Sequence, residues 1–111
     1  MKNIIRVFVL SLALISTSGY GYLLVGFSGV SCVKWTKERN AQSVRSAQLE
    51  AWITGFLSGF NYSGVERVDI LKGNDADGLL AWVDKHCSKN PLKNLGNTAE
   101  VLTVKLVLTQ Y

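Results

Sequence analysis

Residues 49–60 (LEAWITGFLSGF) constrain the fold of this chain more than any other stretch. Leu49, Trp52, Ile53, Phe56, Leu57 and Phe60 recur at i, i+3, i+4, i+7, i+8 and i+11, which lines six large apolar groups along one face of a helix. A strand would scatter them over both faces. The spacing predicts a central helix whose apolar side organises a small core. Ala51, Gly55, Ser58 and Gly59 form a second strip of small side chains on the same helix. A mid-helix glycine costs about 0.5–1 kcal/mol relative to alanine, so two of them call for a reason. The reading preferred is close packing against the chain's own next helix, with a groove for a partner segment as the alternative.

The chain has 111 residues, enough for one domain. Its start carries Lys2 and Arg6, then the apolar run 7–15 (VFVLSLALI), then small residues from Ser16 to Gly21. That order resembles a secretory signal peptide over residues 1–21, with cleavage after Ser18 or Gly21. The rival is a retained membrane anchor over residues 7–29, since no charged residue lies between Arg6 and Lys34. Glycines and serines from Ser16 onward weaken the second half of such a span. A lipoprotein attachment at Cys32 fits less well, because that cysteine lies far beyond the apolar run. The single domain is therefore expected over residues 22–111.

Loss of Lys2 and Arg6 takes the formal charge from +4 to about +2. The remaining basic residues are isolated and do not interleave with aromatics, so the pattern does not support nucleic-acid binding. Two cysteines remain, Cys32 and Cys87. In a small exported domain they read as one disulfide, the oxidising compartment favouring it and a small core benefiting from the link. A Cys87 thiolate activated by His86 is the poorer reading, because adjacent residues on a helix point in different directions and no second histidine exists.

Along the chain, residues 22–31 suit an extended apolar arm. Ser31 is placed to cap a short helix from Cys32, with Cys32 and Trp35 on one side. Residues 40–46 read as a polar connection, with Ser43 or Ser46 capping the central helix. Trp52 is expected in the core, its indole N–H requiring an acceptor. Residues 61–74 (NYSGVERVDILKGN) break the helical pattern, and a loop of that length is either functional or loosely ordered. Tyr62, Val65, Arg67, Ile70 and Leu71 are its candidate partner contacts; the plainer alternative is that its apolar residues close one end of the core.

Asp75 is a cap for the next helix, with Asp77 favourable in its first turn. Leu79, Trp82, Val83, His86 and Cys87 share a face of that helix. The string DADG tempts a calcium reading, but Gly73 stands where the first ligand of an EF-hand loop belongs and Asp84 stands where its glutamate does. A lone His86 with both cysteines paired builds no zinc site. Asn90 followed by Pro91 reads as the start of a last helix, Pro at the first helical position losing no needed hydrogen bond. Leu92, Leu95, Ala99, Leu102 and Leu106 repeat at helical spacing, and Gly96 and Asn97 are a place for a kink or restart. Residues 101–109 (VLTVKLVLT) also alternate like a strand, but lack an obvious partner strand, and helix is the reading preferred.

Cys32 with Trp35, AWITGFLSGFN around Trp52, WVDKHC ending at Cys87 and NPL at 90–92 together resemble small exported bacterial proteins of the HdeA-like type. They resemble more loosely the Rap/Tai-type immunity proteins of type VI secretion. The similarity runs over roughly residues 32–106. It implies a periplasmic or secreted, mostly helical single domain with one disulfide. The HdeA-like branch implies an acid-stress chaperone that exposes apolar surface when its carboxylates are protonated. The immunity branch implies an inhibitor of a peptidoglycan-cleaving toxin. Neither places a catalytic residue on this chain, and no paired catalytic groups occur in it. The expectation is an all-α bundle of three to four helices after a signal peptide, without cofactor or metal, that works by binding a client or toxin protein in the cell envelope. A membrane-anchored accessory subunit of an envelope complex is the alternative.

Overall fold

A computed structural model describes residues 24–111; the expected signal peptide, and the part of the alternative anchor before residue 24, lie outside the described residues. Four α-helices make up the described chain: α1 (Cys32–Ala41), α2 (Val44–Ser63), α3 (Ala76–Lys89) and α4 (Leu95–Thr109). A 3-10 turn, Phe27–Gly29, precedes them. No strand occurs among the described residues. The fold is the all-α bundle with one disulfide that the periodicity and the cysteines predict.

Each helix starts on a side chain that accepts from an otherwise unpaired backbone N–H. Ser31 accepts from Lys34 N, Ser43 from Ser46 N, Asp75 from Gly78 N and Asn94 from Asn97 N. Helix α1 runs on to Ala41, so the polar connection shrinks to Gln42 and Ser43, with Gln42 left-handed at φ 48°. Helix α2 absorbs Asn61, Tyr62 and Ser63 and stops at Gly64, whose φ of 67° is what glycine allows cheaply. Pro91 does not open the last helix. It sits in a turn, Asn94 caps α4 instead, and Leu92 is 96% exposed rather than part of the apolar repeat. Residues 101–109 are helical.

The core is built from one stripe of each helix. Leu49, Ile53 and Leu57 of α2 are fully buried against Cys32 and Trp35 of α1, Leu79, Leu80, Val83 and Cys87 of α3, and Leu95, Ala99, Leu102 and Leu106 of α4. The α2 stripe is narrower than six residues: Trp52, Phe56 and Phe60 lie on its flank, half-buried. Ile70 joins the core from the loop. The Cys32–Cys87 disulfide ties α1 to α3, with Cα atoms 4.8 Å apart.

The segment before α1 is not an extended arm. Gly26 turns it at φ 81°, a conformation that side chains rarely adopt, and Phe27 and Val30 pack against the core. The Trp52 indole finds its acceptor here, donating to Val25 O at 3.0 Å. The segment then pairs with the start of α4. Cys32 N donates to Lys93 O at 2.8 Å and Leu95 N to Val30 O at 2.9 Å, forming an antiparallel bridge between Ser31 and Asn94. Gly96 makes room for this contact, since a Cβ there would stand 3.1 Å from Ser28 Cβ.

Candidate functional site

Two clefts of different character open on the bundle. The larger, about 600 Å³, lies between α1, α2 and α3 and is polar. At its centre the Arg39 guanidinium grips Asp84 with two bonds, Nε to Oδ1 at 2.9 Å and Nη2 to Oδ2 at 2.6 Å. Its third arm, Nη1, donates to Glu50 Oε1 at 2.9 Å. Ser46 Oγ donates to the same Glu50 oxygen at 2.7 Å, and Trp35 Nε1 to Asp84 Oδ1 at 2.8 Å. The Ser46 hydrogen bond, followed by the Arg39 bond and charge, holds the Glu50 carboxyl below its ordinary value against the opposing effect of burial. The paired Asp84, then Glu50, hold the Arg39 cation more firmly still, also against burial. Every charged group in this cleft is committed to another. The planar, two-bonded geometry is that of a structural clamp across three helices.

The second cleft, about 390 Å³, is an apolar groove between α2 and α4. Phe56 and Phe60, one helical turn apart, form one wall. Val104, Val107 and Leu108 form the other, Thr103 lies at the base and Leu24 closes an end. Val104 is 57% and Leu108 68% exposed, so α4 carries a second apolar stripe opposite its buried one. The two charged residues lining the groove, Glu66 and Glu100, are both acidic. A shallower recess of about 440 Å³ continues the apolar surface past Leu24 and Phe56 to Val25, Trp52, Ala51 and Gly55.

This surface gives the small-residue strip of α2 a different meaning from internal packing. Ala51, Gly55, Ser58 and Gly59 face solvent, and a Cβ added at Gly55 or Gly59 would meet nothing within 4 Å. Among the described residues no helix packs on the strip, so the close-packing expectation is overturned.

The candidate contacts in the loop divide. Ile70 is 1% exposed and its backbone N–H donates to Asn61 Oδ1 at 3.0 Å, so it is a core residue and not a contact. Val68 and Leu71 are half-buried against the core beside it. Tyr62 and Val65 are 94% and 69% exposed, and Arg67 is exposed in a left-handed conformation at φ 58°. None of these lines the groove. The loop reaches it through Glu66, whose carbonyl accepts from Tyr111 Oη at 3.1 Å. Val104, Val107 and Leu108 escape a reading that assigns each helix one apolar face. Their signal is the continuous apolarity of residues 101–109, the same feature that makes the stretch look like a strand.

No protein-family model, curated protein or solved structure matches this chain.

Proposed function

We propose that this is an exported domain that acts by binding another protein rather than by chemistry, and that the groove between α2 and α4 is where it does so. The occupant is an apolar segment of the partner with basic residues at its flanks, placed against Phe56, Phe60, Val104 and Leu108. The observation that carries this reading is the open apolar groove whose two charged lining residues, Glu66 and Glu100, are both acidic. Helix-in-groove recognition uses such a surface, with anchors at i, i+3 and i+4. The resemblance to immunity proteins fits a binder of this kind, with the contact made in the folded state.

The test uses a fluorescent amphipathic peptide with a leucine face and lysine flanks, and a second peptide with glutamate flanks. The expected result is saturable binding of the first, weak binding of the second, and loss of binding in Val104→Asp and Leu108→Asp at unchanged helicity. Equal binding of both peptides, or binding unaltered by the two substitutions, overturns it. Intact mass of the protein from fractionated cells tests export: the expected species lacks the segment before Tyr22 or Gly19 and is two hydrogen atoms lighter than its reduced form.

A second reading, the HdeA-like one, draws on the Arg39 clamp. Acid that protonates Glu50 removes one carboxylate partner of the guanidinium, and loosening the helices it links exposes apolar core to client chains. Aggregation suppression that appears in acid and is absent at neutral pH supports this reading; activity unchanged by acid removes it.

A further inference from the structure

We propose that a small recess between α3 and α4, away from the apolar groove, binds a phosphate-type anion. The recess holds about 260 Å³ and is lined by Trp82, Lys85, His86, Lys89, Asn90 and Lys105. Three of these six carry ammonium groups and none is acidic. Lys85 and Lys89 stand one turn apart on α3, an arrangement in which like charges repel. The end of α3 accounts for Lys89, since a helix C-terminus attracts a cation. It does not account for Lys105, which arrives from α4 and holds its Nζ 5.6 Å from the Trp82 ring centroid. The ion pairs among the described residues involve Lys34 and Arg39, and none of these three lysines.

The aromatic wall of the recess is itself ordered. The Trp82 and His86 rings stack with centroids 4.8 Å apart and planes 14° from parallel. His86 Nε2 is shut off from solvent without a hydrogen-bond partner, the one buried side-chain nitrogen or oxygen so placed among the described residues. Such an atom is ordinarily matched in native proteins. An oxyanion in the recess would neutralise the repulsion among the lysines. A compact, multiply charged tetrahedral group suits ammonium donors, which bind phosphate as point charges. The source of that group is either a soluble phosphate ester or the head group of an anionic phospholipid.

The experiment titrates the disulfide-bonded protein with sodium phosphate at fixed ionic strength, chloride making up the balance, and follows the Trp82 indole and Asn90 side-chain signals by NMR. Saturable shifts are expected, weakened at least roughly tenfold in Lys89→Gln/Lys105→Gln and unchanged in Lys72→Gln, a lysine outside the recess. A parallel arm measures sedimentation with vesicles of phosphatidylglycerol or of phosphatidylcholine. Pelleting with the first alone, lost in the double variant, assigns the site to a lipid head group; phosphate saturation without pelleting assigns it to a soluble ester. Shifts that grow linearly without saturating, or binding equal in the double variant and in Lys72→Gln, overturn the proposal.

Discussion

The Trp35 indole nitrogen donates to Asp84 Oδ1 at 2.8 Å, so the fully buried tryptophan of α1 depends on a carboxylate carried by α3. Replacing Asp84 by alanine leaves that buried N–H without an acceptor and frees Arg39 from its two-bonded partner. The expected cost is about 2–3 kcal/mol, against about half of that for Asp84→Asn, whose amide oxygen still accepts from the indole. Urea denaturation of the two variants measures the difference, and equal stability of Asp84→Ala and wild type would show that the clamp contributes nothing.

Acid acts on the same clamp through Glu50. Its carboxyl is held below the ordinary value of 4.5, so its contribution is present above that pH and is lost as pH falls through the depressed value. The Arg39 cation is charged throughout and adds no pH dependence of its own. The expected result is a stability that declines below about pH 4.5, with a shallower decline in Glu50→Gln, which starts less stable at neutral pH. Denaturant midpoints across that range check it; identical slopes in the two proteins would exclude Glu50 as a source.

Glycine substitutions are expected to have opposite signs at different positions. Gly26 sits at φ 81° with a would-be Cβ 2.9 Å from Trp52 Nε1, so Gly26→Ala is expected to destabilise by about 1–3 kcal/mol. Gly55 and Gly59 are helical with open space where a Cβ would go, and alanine at each is expected to stabilise by about 0.5–1 kcal/mol. Thermal melts of the three single variants decide the matter.

The disulfide closes a separation of 55 residues. In the chain-entropy account such a loop restricts the unfolded chain by about 4 kcal/mol, and Cys32→Ala/Cys87→Ala is expected to lose stability on that order. A matching drop in the wild-type midpoint under reducing denaturation is the control.

Much of this architecture is written in local chemistry. Ser31, Ser43 and Asp75 each announce a helix start because a short polar side chain reaches its own N3 amide without help from elsewhere. Pro91 misleads for the same reason: Asn-Pro is a start signal, but Asn94 offers an equal cap four residues after Asn90, and the pairing of Asn94 with Ser31 decides between them. The clamp is illegible in sequence, since Arg39 and Asp84 lie 45 residues apart and meet only once α1 and α3 are joined. Gly55 and Gly59 fail differently. Their energetic cost suggests internal packing, but among the described residues a Cβ at either would meet nothing within 4 Å, and Gly55 lines the apolar recess beside the groove.

The bridge between Ser31 and Asn94 links the start of α1 to the start of α4. Its hydrogen bonds cannot form until residues 93–95 have been made, after α1, α2 and α3. A nascent chain therefore carries three of its helices before it has the seam that closes them.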